Sequence, residues 1–259
     1  MGRGVRVSRY ERWSALLGLL ADSGHLSVAQ AAQSLAVSAA TIRRDFEELA
    51  QQRLLTRTRG GAVASSQVSY DLPLLYKTAR NAPEKQLIGR AAADLVPPDS
   101  TVALNGGTTT LEVARALVDK DLTVVTNALS IASELAVRPR IKLVLTGGVA
   151  RPASYELVGP LATYVLGDLA FDWAVLGVDG LDAAAGATAH HEDEASINRL
   201  MTQRAERVAI VADSSKLGTR AFARVCGTDK IDVVVTDADA GHPAATALAG
   251  HGVRVITAR

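Results

Sequence analysis

The chain of 259 residues holds a single cysteine, Cys226. That excludes an internal disulfide and any cysteine-based zinc site, and it fits a reducing, cytoplasmic setting. No base is evident beside Cys226, so it reads as a small core residue rather than a nucleophile. Aromatic residues make up only 4% of the chain, so the core has to be built from Ala, Val, Leu and Ile. No apolar run reaches the roughly 18 residues that a membrane-spanning helix requires, and no membrane partner is expected. Arg3, Arg6, Arg9 and Arg12 open the chain, but polar and acidic residues interrupt the apolar stretch after them, which is not the pattern of a signal peptide. Internal repeats and low-complexity tails are lacking too. Strong net charge is also missing, at +1 overall, yet the charge is uneven. Residues 1–64 carry nine Arg against five Asp and Glu, or +4, and the remainder carries 19 against 22, or −3. A basic head on a slightly acidic body fits a head that binds nucleic acid and a body with another task.

The head is organised around residues 26–62. Arg9 to Asp22 reads as a first helix with Trp13, Leu16, Leu17 and Leu20 as its buried stripe. Ser27 is placed to cap a second helix, whose apolar positions are Val28, Ala31, Ala32 and Leu35. Ala36-Val37 makes a short connection, and Ser38 is a good N-cap for a third helix. There Ile42, Phe46 and Leu49 recur at helical spacing and face the core, while Ala40, Arg44, Glu47 and Gln51 fall on the opposite side, flanked by Thr41 and Arg43. A small, polar, basic helix front behind a Ser cap suits the DNA major groove, where arginine reaches guanine edges or phosphates. Arg57 and Arg59 come next, on a hairpin that turns at Gly60-Gly61, a wing placed for the DNA backbone or minor groove.

The string Ser38-x-x-Thr41-Ile42-Arg43-Arg44-Asp45, followed by Leu54-Leu55-x-Arg57 and Gly60-Gly61-Ala62, resembles the DeoR family of bacterial transcription regulators. The resemblance implies a winged helix-turn-helix over residues 1–64 that binds operator DNA through Ser38, Thr41, Arg43, Arg44, Arg57 and Arg59. Arg53 stands where the family usually has Gly, and Arg59 where it usually has His. Both departures add positive charge.

Residues 65–83 lack periodicity and read as a linker. From Glu84 to the C-terminus strands and helices alternate. Strands are expected at Thr101–Leu104, Leu122–Thr126, Ile141–Leu145, Trp173–Val178, Val208–Ala212, Val233–Thr236 and Val253–Ile256. They are short, continuous and β-branched, as strands buried on both faces should be. Helices are expected near 109–118, 128–136, 160–168, 193–205 and 243–250. Such alternation predicts an α/β domain with a mostly parallel, doubly wound, Rossmann-like sheet.

Ligands in such sheets sit at the carboxyl ends of strands, and five of these ends carry polar or glycine signals. Asn105-Gly106-Gly107-Thr108-Thr109-Thr110 ends one strand and opens a helix, a cradle for an anion. It lacks the lysine of a P-loop. Thr126-Asn127, then Gly147-Gly148 with Arg151, then Asp179-Gly180, then the segment from Asp213 to Gly218 with Lys216, end four others. This array also resembles the DeoR effector domain, whose fold is related to ribose-5-phosphate isomerases and CoA transferases. The resemblance implies a phosphorylated sugar or related metabolite as effector. Its phosphate would lie on Gly107, Thr108, Thr109 and Thr110, with Lys216 and Arg151 supplying charge, and Asp179 with Glu192 or Glu194 facing sugar hydroxyls. Asn105 stands where the family usually has Asp, and Asn198 where it often has Lys. An amide cannot act as a base, which argues against the alternative of an isomerase-like enzyme with an accessory DNA-binding domain. A body that only dimerises is a third alternative. His190-His191-Glu192-Asp193-Glu194 has metal-binding side chains, but neighbours on one loop rarely converge on an ion, and the stretch reads as a polar helix start. No metal and no cofactor are expected. The resemblance implies a homo-oligomeric repressor.

Overall fold

The computed structural model describes residues 9–52, 54–64, 74–78, 80–239 and 241–259. The chain divides into two compact units, residues 1–80 and 81–259. Arg53 and most of the linker expected over 65–83 lie outside the described residues.

In the first unit, α1 (Arg9–Ser23), β1 (His25–Ser27), α2 (Val28–Ser34), α3 (Ala39–Gln51), β2 (Leu55–Thr58) and β3 (Gly61–Ala64) follow in order. A short helix, α4 (Leu74–Lys77), lies where a linker is expected, and its Leu74 is buried. Trp13, Leu16, Leu17 and Leu20 of α1 meet Ala31 of α2 and Ile42, Phe46 and Leu49 of α3 in one core. That is the set the helical spacing predicts, closed below by Leu26, Leu54, Leu55 and Ala62. Ser27 and Gln30 form a reciprocal capping box on α2. Ser38 caps α3 by accepting from the Thr41 amide at 3.1 Å. β3 pairs with both β2 and β1, in the order β1-β3-β2. Gly61 is required at that crossing, because a Cβ there would lie 2.5 Å from the Leu26 carbonyl oxygen.

The second unit opens with α5 (Ala82–Ala93). Its sheet contains β4 (Thr101–Leu104), β5 (Leu122–Thr126), β6 (Ile141–Leu145), β9 (Phe171–Gly177), β12 (Ala205–Val211), β14 (Val233–Thr236) and β15 (Arg254–Thr257). Every pairing is parallel, and the order is β15-β14-β12-β9-β4-β5-β6. Val102 and Leu104 face one side with α5, α6 (Thr108–Ala116) and α7 (Leu129–Leu135). Ala103 faces the other, with α8 (Pro160–Gly167), α9 (Glu192–Arg204) and α10 (Pro243–Gly250). From β4 the chain winds outward through β5 to β6, then returns to lay β9 on the other side of β4. The winding reverses between β4 and β9, which makes their carboxyl ends the topological switch point where such sheets bind ligands. Two antiparallel additions lie outside the expected pattern: a hairpin of β7 (Val149–Arg151) and β8 (Glu156–Val158), and a small sheet of β10 (Gly180–Asp182), β11 (Gly186–Ala189) and β13 (Ala223–Cys226).

Candidate functional site

The head presents its basic side chains on α3 and the wing. Arg43, Arg44, Arg57 and Arg59 are all exposed, and Ser38 and Thr41 lie at the start of α3, their hydroxyls 2.9 Å apart. Arg57 approaches Glu47 at 3.8 Å, a loose surface pair of small energetic weight. Asp45 turns inward and is 3% exposed. It accepts from Arg12 Nε at 2.5 Å, Arg12 Nη2 at 2.9 Å and Trp13 Nε1 at 2.8 Å. The hydrogen bond to Asp45 holds the Arg12 guanidinium above its ordinary pKa. The clasp ties α3 to α1, so the two arginines beside Asp45 leave the core at a fixed angle. The motif shows Asp45, but its partners stand over 30 residues earlier.

In the second unit the switch point is bridged by Asn105. Its Nδ2 donates to the Gly177 carbonyl at 2.9 Å and its Oδ1 accepts from the Gly177 amide at 2.8 Å. The side chain is 2% exposed. This is a structural role that aspartate cannot copy, because a carboxylate has no proton to give to Gly177 O. Beyond Asn105, Gly107 stands at the N-cap of α6 with no side chain capping the helix. The amides of the first turn are therefore directed at the site, with the positive end of the helix dipole behind them. Thr109 and Thr110 are buried, Gly107 and Thr108 half-buried. Thr110 Oγ1 is turned back onto the Gly107 carbonyl at 3.2 Å.

The neighbouring strand ends behave differently from one another. Thr126 shapes its own loop, accepting from the Ala128 amide at 3.1 Å. Asn127 is fully buried, and its Nδ2 donates to Glu156 Oε2 at 3.0 Å and to the Leu157 carbonyl at 3.2 Å. Two acceptors fix the orientation of that amide, and its Oδ1 is buried without a hydrogen-bond partner. Gly147-Gly148 leads from β6 into β7. Arg151 lies directly across the β7–β8 ladder from Glu156, yet it forms its ion pair with Glu194 of α9. Asn198, one turn further along α9, is also buried, with its Oδ1 unpartnered. Asp179 Oδ2 accepts from the His190 amide at 3.0 Å, and Gly180 begins β10. Lys216 is half-buried in a short 3-10 turn whose Asp213 accepts from Ser215 and Asn81.

Glu192 is placed apart from these groups, with its side chain 69% exposed. Of the Glu192–Glu194 pair, only Glu194 faces inward. His191 Nδ1 accepts from the Asp193 amide at 3.3 Å, a cap for α9. Among the described residues no group of three or more His, Cys, Asp and Glu is arranged to hold a metal ion. Cys226 is buried, and burial pushes its thiol up to about 11.

Sequence reasoning missed Glu156. It is 4% exposed and rests on Gly106, where a Cβ would lie 2.2 Å from its Cγ. Burial, with the Glu194 and Asp179 carboxylates pushing the same way, raises its carboxyl to about 8; hydrogen bonds from Asn127 and the Gly106 amide oppose the shift without reversing it. The only signal was an acid inside the apolar run Tyr155-Glu156-Leu157-Val158.

Comparison with known proteins supplies the family. The DeoR-like helix-turn-helix domain matches residues 12–68, and the DeoR C terminal sensor domain matches residues 80–238. The chain belongs to the DeoR family. It is similar to the HTH-type transcriptional regulator GlpR of Haloferax volcanii, at 36% identity over 95% of this chain and 96% of that protein. The Transcriptional repressor AccR of Agrobacterium fabrum is 32% identical, over 89% and 90%. The Glycerol-3-phosphate regulon repressor of Escherichia coli K12 is 30% identical, over 90% and 92%. This DeoR-family chain is a DNA-binding transcription regulator with a sensor domain, and not an enzyme. No helix among its described residues is long and apolar enough to cross a membrane.

Proposed function

We propose that this protein is a cytoplasmic repressor that holds its operator as a homo-oligomer and lets go when a phosphorylated sugar or related metabolite enters the sensor domain. Ser38, Thr41, Arg43 and Arg44 take the major groove, and Arg57 and Arg59 the flanking backbone or minor groove. The effector's phosphate lies on the amides from Gly107 to Thr110. Arg151 and Lys216 supply positive charge, and Asp179 and Glu194 bond the hydroxyls. The observation that carries this reading is the uncapped start of α6 at the switch point, beside the unpartnered Oδ1 of the buried Asn127. A helix start of this kind favours an anion, and a buried acceptor without a donor favours a ligand hydroxyl. All three of these similar proteins are named for regulation, one of them of a glycerol-3-phosphate regulon, which makes glycerol 3-phosphate the first probe.

Paired heads must match half-sites about 34 Å apart, so an effector that changes their spacing releases DNA. The test is a thermal-shift panel of sugar phosphates with the free sugars as controls, followed by operator binding with and without each hit. A rise with a phosphate, none with its free sugar, and release of the operator are expected. No rise across the panel would refute the effector reading while leaving the DNA-binding head intact. Light scattering tests the oligomer, and a monomer on the operator would refute it.

A further inference from the structure

Glu156 occupies ground that a bound anion needs. Its carboxyl accepts from the Gly106 amide, which belongs to the cradle, and from Asn127, whose other amide atom is the unpartnered acceptor. It is 4% exposed and packs so closely on Gly106 that no side chain fits there. The charged groups around it are set against a second anion. From α9 comes Glu194 and from the loop after β9 comes Asp179. Asp179 in turn faces His190. Across the ladder on β7 stands Arg151, which is bonded to Glu194. An ionised Glu156 would add a third carboxylate to Glu194 and Asp179 at the mouth of the cradle.

We propose that Glu156 is a proton-linked, specificity-determining residue of the sensor: it binds an anion in the cradle only while its own carboxyl is protonated, so that anion binding takes up a proton. This rests on the effector reading above. Protonated, the carboxyl is neutral and has an O–H to donate to an anion oxygen. Ionised, it only accepts, and it competes for the same amide. The carboxyl lies near 8 without ligand, so it is mostly neutral at pH 7 and mostly charged at pH 9. Affinity should therefore fall about tenfold between those values.

Sulfate is the probe, because it stays a dianion throughout this range and brings no titration of its own. Its affinity for the full chain is read from the concentration dependence of the thermal shift at pH 7 and pH 9. The proton taken up per sulfate bound is read in weakly buffered solution with a glass electrode. The expected results are the tenfold fall, uptake of about half a proton at pH 8, and a Glu156→Gln variant whose affinity is the same at both pH values. Sulfate binding of wild type that is equal at pH 7 and pH 9, or that takes up no proton, overturns the proposal and leaves the cradle standing. A Glu156→Gln variant that keeps the tenfold fall overturns it too. No sulfate binding at either pH overturns both the cradle reading and the proposal. The electrode measurement uses wild type alone, so it decides the matter even if the variant does not fold.

Discussion

Replacing Glu156 by Gln should stabilise the sensor domain at neutral pH and destabilise it in acid. In the folded protein the carboxyl is raised to about 8 from an ordinary 4.5, chiefly by burial. The folded state thus holds a proton that the unfolded chain releases above 4.5. A group that binds more protons when folded makes stability fall as pH rises, here across the window from 4.5 to 8. At pH 7 the cost is the free energy of protonating a carboxyl well above its unfolded pKa, roughly 3 kcal/mol at 1.36 kcal/mol per unit. Glutamine carries no such cost. Its amide can accept from only one of Asn127 and Gly106, however, and that mismatch gives back about 1 kcal/mol. The net gain of about 2 kcal/mol should raise the sensor's melting temperature by about 4–8 °C at pH 7. At pH 4.5 the unfolded carboxyl is already half protonated and the linkage cost falls to about 0.4 kcal/mol, so the mismatch outweighs it and the variant should melt below wild type. Calorimetry of the full chain at pH 4.5, 6, 7 and 8 reads this directly. A difference of constant size and sign across that range would mean that Glu156 is ionised in the folded protein, and the reasoning would be wrong.

Asn105→Asp should destabilise the sensor by about 3 kcal/mol at pH 8, because a buried carboxylate oxygen would face the Gly177 carbonyl, and by less at pH 4, where a protonated acid can donate again; urea midpoints at the two pH values check this, and an equal loss at both would count against it. Asp45→Ala strips acceptors from Arg12 and from the Trp13 indole and should cost about 3–5 kcal/mol, unfolding the head while the sensor's own transition stays in place. Calorimetry with operator binding on the same sample reads both, and a head that still folds and binds at 37 °C would show that the clasp is dispensable. Arg44→Ala should weaken operator binding and lower the salt slope by about one unit. Unchanged affinity and slope in fluorescence anisotropy would remove Arg44 from the interface.

Period carried far in this sequence. The buried stripe of α1 and the inward face of α3 could be read because each is long enough to show its repeat, and the strands of the seven-stranded sheet because their cores are continuous apolar runs rich in β-branched residues. The strands β7, β8, β10, β11 and β13 run to three or four residues, each broken by a charged residue or a glycine, and show neither signal. Chemistry followed the same division. The cradle was visible because its glycines and threonines are contiguous. Glu156 was not, because its role depends on β8 crossing the ends of β4 and β5, and nothing local says so. Asn105 was visible as an odd residue, but only the approach of β9 shows why an amide is needed. Glu192 and Glu194 could not be told apart by sequence, since which of them faces inward depends on how α9 packs.

The site's chemistry suits holding a ligand rather than turning it over. A base that takes a proton from a sugar carbon must be ionised and unoccupied. Asn105 is neither an acid nor free, being bonded at both amide atoms to Gly177. Glu156 is mostly neutral at pH 7 and bonded to the Gly106 amide and Asn127. What remains is a set of donors and acceptors whose differential affinity can shift an equilibrium between two arrangements of the protein. The magnitudes separate the effector from the proton. Moving such an equilibrium from 1:99 to 99:1 takes a preference of roughly 10⁴-fold, about 5.5 kcal/mol. A tenfold dependence on protonation is about 1.4 kcal/mol. Protonation of Glu156 therefore cannot release the operator by itself. It sets how much effector is needed, so that induction at pH 9 should require about tenfold more effector than at pH 7 and still reach the same plateau. A plateau that falls with pH would mean instead that Glu156 acts on the two arrangements themselves, and not on the ligand.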